Sequence, residues 1–279
     1  MIDRAWVRAC CALLAALLPA AANAQAPEDG RPAAGIFRIK VTDGQNRDAT
    51  GTAVLVARGT LVTNCHVVAH ARAINIEIGD AIHPARIIRA NAERDVCLLA
   101  APALDAPLAT LGDTANLRTG GAITAAGYSR GGALGWSAGE IEGFYSYDGN
   151  GRVVQGSAPF DEGASGGGLF DASGRLIGIL TFKARAGGPF HFALPVEWVA
   201  DLLANAPGAE RRGGAPFWRR TDARGPAFLQ VASLAARGDC AGLAQVAGQW
   251  LRKEPENPEA GMAARNVHHC ESLTTKKVN

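Results

Sequence analysis

The run DEGASGGGLF, residues 161–170, surrounds a single serine with four glycines. Glycine costs about 0.5–1 kcal/mol per site relative to alanine in regular structure, so such a cluster needs a reason in packing or in chemistry. One chemical reason is available. A serine hydroxyl becomes a useful nucleophile when a neutral imidazole takes its proton and a carboxylate orients that imidazole. It also needs backbone N–H groups aimed at the oxyanion that develops, on a loop bare enough to lie against a substrate. Gly163, Gly166 and Gly167 beside Ser165 suit such a loop.

Working outward, the chain on both sides reads as short strands bounded by Gly, Asp, Asn and Pro. GIFRIKV, GTAVLVA, GTLVTN, AINIEIG, HPARIIRAN and VCLLA form a first set of six, in which Ile74, Ile76 and Ile78 alternate with polar residues as on a half-buried strand. AITAAGY, SAGEIEGFY, GRVVQGS, GGLF, GRLIGILTF and PFHFALP form a second set of six. Residues 101–120 between them lack periodicity and read as a connection. Two sets without intervening helices predict a mainly β protein of two six-stranded antiparallel β-barrels, the first over about 35–100 and the second over about 120–195. VEWVADLLANA then reads as a closing helix, and 25–205 as one domain.

Beyond it, 206–225 is a linker rich in Pro, Gly and Arg, and its basic run RRGGAPFWRR reads as solvated. Residues 226–279 turn helical, a small C-terminal α-helical region with three helices. Asp239 and Asn257 are in position to cap the second and third, with Pro258 at the first helical turn. The stretch WLRKEPENPEA is weakly similar to tetratricopeptide repeats, which need neighbours to bury their faces. This region is the candidate surface for a protein partner.

At the other end, residues 1–24 have the arginines, the short apolar run and the ANA cleavage pattern of a signal peptide. The expectation is export to a bacterial periplasm or the medium, with no membrane contact after signal removal. With 28 Lys and Arg against 26 Asp and Glu, the net charge of +2 predicts no nucleic-acid partner. Cys65, Cys97, Cys240 and Cys270 remain after the signal, and an even number in an oxidising compartment suggests disulfides. Three connectivities are open, and proximity along the chain favours Cys65–Cys97 and Cys240–Cys270. A metal site at Cys240, His268, His269 and Cys270 is the rival, but HHC lacks the usual zinc-ligand spacing. No cofactor and no metal are expected.

Upstream of the serine, TNCHVV places His66 just after a strand, and DVCLL begins with Asp95. With GASGGGLFDASGRLIGI, these motifs resemble the trypsin-like serine endopeptidases, in particular the bacterial ones related to the HtrA proteases. The order His, Asp, Ser and the spacings of 29 and 70 residues agree, over roughly residues 35–204. The resemblance implies Ser165 as nucleophile, His66 as general base and then acid, and Asp95 as its orienting carboxylate. It implies an oxyanion hole from the N–H groups of Gly163 and Ser165, and a cleft between the barrels. It also implies a substrate pocket near Pro159, Thr181, Phe182, Lys183 and His191. Pro159 stands where trypsin itself has an acidic base, so preference for Arg or Lys is not expected.

The run departs from the digestive enzymes at Ala164, where an aspartate pairs with a freed N-terminus, and at Gly168, where proline is more usual. HtrA proteins carry PDZ domains after the protease, whereas the roughly 75 residues here look helical. The expected function is a serine endopeptidase acting on polypeptides through an acyl-enzyme. The alternative is a catalytically silent binding or regulatory protein on the same scaffold, acting through its helical tail. An esterase of the α/β-hydrolase type is disfavoured by residue order and by the lack of alternating strand–helix units.

Overall fold

A computed structural model describes residues 34–275 apart from 102–103, 149, 186–188, 207, 212 and 221–224. The expected signal peptide lies outside the described residues. Twelve strands close two barrels, as expected. The first contains β1 (Ile36–Asp43), β2 (Asp48–Ala57), β3 (Thr60–Asn64), β4 (Ala71–Ile78), β5 (Ala81–Asn91) and β6 (Val96–Ala100), in the order β1-β2-β3-β6-β5-β4. The second contains β7 (Ala122–Tyr128), β8 (Leu134–Tyr145), β9 (Val153–Gly156), β10 (Gly168–Asp171), β11 (Leu176–Arg185) and β12 (Pro189–Pro195), in the order β10-β11-β12-β9-β8-β7.

Closure follows from the two-residue period of the strands. Ile39 pairs with Ile76 and Val41 with Ile74 where β1 meets β4, and all four side chains are buried in the first barrel. Ile78, at the strand end, is exposed, so the expected buried face stops one residue pair earlier. Ile123, Ile141, Val154, Leu169, Ile177 and Leu180 fill the second barrel. A third cluster joins them, with Val54, Val62 and Leu98 from the first barrel against Phe170, Phe192 and Leu194 from the second. Burying each such side chain is worth about 1.5–3 kcal/mol.

The connection between the sets hydrogen-bonds to both barrels: Ala109 N–H donates to Leu55 O, and Leu176 N–H to Thr110 O, each at 2.8 Å. A one-turn helix α1 (Cys65–Val68) follows β3, and α2 (Val196–Ala204) closes the second barrel. Asn205 ends α2 in the left-handed region at φ 55°. Helices α3 (Ala227–Arg237), α4 (Cys240–Lys253) and α5 (Pro258–Thr275) form the C-terminal region. Asp239 caps α4 by accepting from Gly242 N–H at 2.9 Å, and Asn257 caps α5 by accepting from Glu259 N–H at 2.9 Å. Phe228 and Trp250 place these helices on the shared core. Disulfides join Cys65 to Cys97 and Cys240 to Cys270, so neither of the latter thiolates is left for the rival metal site.

The basic run after α2 departs from the solvated reading. Asn91 and Arg211 form a parallel bridge, Arg211 N–H donates to Ala90 O at 2.8 Å, and Phe217 is fully buried against Tyr147 and Trp198. The aromatic residues inside the run, rather than its charges, decide its position.

Candidate active site

The register of two strands brings His66 and Asp95 together. In the antiparallel pair of β3 and β6, Asn64 lies opposite Val96, so the residues just past this pair, 65–66 and 95, emerge at the same end. The Cys65–Cys97 bridge closes that end covalently, with the two Cα atoms 4.9 Å apart. Asp95 turns the chain at φ 60°, a left-handed conformation in which aspartate is enriched among non-glycine residues. Its side chain is fully buried. Oδ1 accepts from the His66 backbone N–H at 2.7 Å, and Oδ2 lies 2.6 Å from His66 Nδ1. A buried carboxylate is tolerable because its oxygens are hydrogen-bonded in this way. With Nδ1 facing the carboxylate, the other ring nitrogen of His66 is the one that can accept a proton from elsewhere.

The loop at 162–167 can be accounted for group by group. Glu162 O accepts from Arg130 N–H at 2.6 Å, Gly163 O from Thr52 Oγ1 at 2.8 Å, Ala164 O from Gly167 N–H at 2.8 Å, and Ser165 O from Thr52 N–H at 2.9 Å. Ala164, Gly166 and Gly167 donate their N–H groups to Asp161 O, Leu180 O and Ala164 O. Among the described residues, the N–H groups of Glu162, Gly163 and Ser165 have no such backbone partner, and the last two are the pair expected to form an oxyanion hole. Peptide planarity sets an N–H opposite its carbonyl, so tying Glu162 O to Arg130 turns the Gly163 N–H the other way. Glycine is required at three of these positions. Gly163 has φ 92° and Gly166 φ 87°, and a Cβ would lie 2.1 Å from Thr52 O on Gly166 and 2.3 Å from Ala126 O on Gly167. Ala164 is buried in the second-barrel core, and Gly168 pairs with Ala126 and Ile179 in β10. Ser165 Oγ donates to Thr181 O at 3.3 Å rather than to His66.

The five expected pocket residues divide. Pro159, Lys183 and His191 line one cavity of about 410 Å³ together with Ser129, Phe160 and Asp161. Thr181 instead lies behind the serine, its carbonyl meeting Ser165 Oγ and its hydroxyl accepting from Asn64 Nδ2 at 2.9 Å. Phe182 stacks in the aromatic layer beneath the site. His191 is buried, 4.9 Å from the Phe160 ring, and its Nδ1 has no hydrogen-bond partner among the described residues. Burial, reinforced by the charge of Lys183, lowers its pKa. Asp161 was not among the expected pocket residues. It is held by Lys183 at 2.5 Å and by Arg130 at 3.0 Å, and the Lys183 hydrogen bond lowers its pKa first among the causes.

Residues 51–179 match the family described as the trypsin-like peptidase domain. This chain carries a trypsin-like peptidase domain. Its homologues are HtrA-like and DegP-like serine proteases. A probable periplasmic serine endoprotease, DegP-like, of Hahella chejuensis is 29% identical over 183 residues, covering 61% of this chain and 38% of that protein. Serine protease HTRA1B of Danio rerio is 28% identical over 198 residues, covering 64% and 39%. The chain thus spans about two fifths of the length of these relatives. Among solved structures, the HtrA-type protease AlgW with a tripeptide superposes with a TM-score of 0.57 at 28% identity, covering 63% of this chain and 60% of that one. The active form of the Rv3671c protease of M. tuberculosis shares the fold, with a TM-score of 0.58 at 24% identity over 67% and 85%.

Two residues of the candidate site were not singled out from the sequence. Thr52, fully buried on β2, clamps Gly163 and Ser165 from the opposite barrel. Its only local signal is a hydroxyl in an apolar strand. Trp218, downstream of both barrels, reaches Asp95, and nothing in RRGGAPFWRR beyond its paired aromatics marks it.

Proposed function

We propose that the protein is an exported serine endopeptidase that hydrolyses peptide bonds through an acyl-enzyme at Ser165. The observation that carries this reading is the coincidence of the His66–Asp95 pair, its carboxylate buried, with a nucleophile loop in which the N–H groups of Gly163 and Ser165 have no backbone partner among the described residues. His66 takes the Ser165 proton as the hydroxyl attacks a substrate carbonyl, Asp95 stabilises the imidazolium, and the two N–H groups receive the oxyanion. His66 then returns the proton to the leaving amine, and water repeats the sequence to release the acyl group.

Pro159, Lys183 and His191 would form the pocket for the residue before the cut, with Thr181 behind the nucleophile and Phe182 beneath the site. Asp161 is already engaged by Lys183 and Arg130, so it offers no free carboxylate to a basic side chain. Two disulfides, and a relative described as periplasmic, support an oxidising compartment outside the cytoplasm.

One observation favours the silent scaffold: the Ser165 hydroxyl rests on Thr181 O. Rotation about the Ser165 Cα–Cβ bond releases that hydrogen bond, a motion of picoseconds to nanoseconds in an accessible residue. The deciding experiment is digestion of an unfolded protein substrate by the wild type and by Ser165→Ala, with the new termini identified by mass spectrometry. Cleavage by the wild type alone supports the endopeptidase. Equal inertness of both, in folded protein, supports the scaffold reading.

A further inference from the structure

Asp95 has a third donor that belongs to neither barrel. Trp218 lies 123 residues downstream, in a short 3-10 turn at Phe217–Arg219, and its indole Nε1–H donates to Asp95 Oδ2 at 3.0 Å. This is the oxygen that faces His66 Nδ1. The indole also meets the imidazole edge-on, with ring centroids 5.4 Å apart at 82°. Its other neighbours fix it in place. Trp218 stacks on Phe182 at 5.1 Å and 12°, Phe182 stacks on Phe192 at 4.7 Å, and the Arg219 guanidinium lies 5.1 Å from the indole.

The backbone that delivers Trp218 is tied to the loop that carries Asp95. Phe217 N–H donates to Glu93 O at 2.9 Å, and the Glu93 carboxylate holds the Tyr147 hydroxyl at 2.7 Å, Arg220 at 3.3 Å and Arg211. Phe217 itself is fully buried, stacked on Tyr147 at 4.3 Å. The indole is therefore held by a buried anchor next to it in sequence and by a stack beneath it.

We propose that Trp218 is a positioning residue of the peptidase site. It fixes the Asp95 carboxylate through the indole N–H and walls in the His66 ring, so that the segment after the second barrel completes the catalytic arrangement. The proposal rests on the triad reading above. A carboxylate with three donors has its plane fixed, whereas loss of the indole donor leaves it held by His66 alone, through the backbone N–H and Nδ1. Hydrogen bonds to charged groups are among the stronger ones, and misorientation of a catalytic base is felt in the chemical step.

Trp218→Phe keeps an aromatic ring on Phe182 and removes the donor with part of the ring surface, whereas Trp218→Ala removes the ring altogether. The test measures kcat and KM on a peptide substrate, together with the proton NMR resonance of the His66 ring N–H that faces Asp95. Trp218→Phe is expected to lower kcat by about 10-fold with KM within two-fold, and to shift or broaden that resonance; Trp218→Ala is expected to lower kcat further. An unchanged kcat and an unchanged His66 resonance in folded Trp218→Phe overturn the proposal. Should the wild type prove inert, the protease reading fails, while the His66 resonance still decides for or against Trp218 as the residue that positions the pair.

Discussion

At the scale of single residues, the site depends on groups that never meet a substrate. Thr52 spends its N–H on Ser165 O and its hydroxyl proton on Gly163 O, while its Oγ1 accepts from Tyr128 N–H at 2.9 Å and its own carbonyl accepts from Thr63 Oγ1 at 2.7 Å. One side chain of the first barrel thereby sets the loop of the second. Replacing it by valine removes the Gly163 bond and leaves the Tyr128 N–H unpaired in a part-buried place. Thr52→Val is expected to cost about 1–3 kcal/mol of stability and to lower kcat by roughly 10-fold through a loosened loop, with Thr52→Ser close to wild type. Urea unfolding and steady-state kinetics on the three proteins check this, and a Thr52→Val enzyme equal to wild type in both would remove the clamp from the account. The glycines of the loop could be read from sequence because their requirement is local. Thr52 could not, since its partner Gly163 lies 111 residues away.

At the scale of elements, the strands were legible because a two-residue period and turn residues are short-range signals, and the helical caps at Asp239 and Asn257 were legible for the same reason. The basic run after α2 was not. Its charges and glycines describe an exposed coil, and only the tertiary environment of Phe217 overrides that. The contact between the helices and the second barrel has a titratable element of its own. A cavity of about 210 Å³ is lined by Tyr145, Glu142 and Gln155 from the barrel, by Phe228 and Trp250 from the helices, and by Glu259 on α5.

Burial pushes the Glu259 carboxyl up to about 8, with Glu254 adding to the shift and Arg152 opposing it. Between its ordinary 4.5 and 8, the folded protein holds a proton on Glu259 that the unfolded chain has lost. Stability from this group is therefore complete below pH 4.5 and falls as pH rises through 8. Glu259→Gln is expected to flatten that dependence and to exceed wild type in stability above pH 8. Urea midpoints of both proteins at pH 5, 7 and 9 measure it, and parallel curves would contradict it.

At the scale of the whole molecule, two barrels, the segment after α2 and three helices converge on one line of contacts. His66 and Asp95 come from the first barrel, Ser165 from the second, and Trp218 from the 3-10 turn at Phe217–Arg219, which touches both. The aromatic layer continues from Trp218 through Phe182 and Phe192 to Phe228 on α3, so the helical region packs onto the same layer that supports the site. The sequence made the barrels and the order of the three candidate residues readable, because each motif sits beside a strand it announces. How a chain segment beyond the barrels reaches Asp95 depends on packing over more than 100 residues, for which sequence holds no local sign.

The central claim is that Ser165 is a nucleophile activated by His66. The most direct measurement is reaction of the folded protein with a fluorophosphonate, followed by peptide mapping. Stoichiometric modification at Ser165 that disappears in His66→Ala is the expected result. A folded wild type that stays unmodified, or that labels equally well without His66, would contradict it.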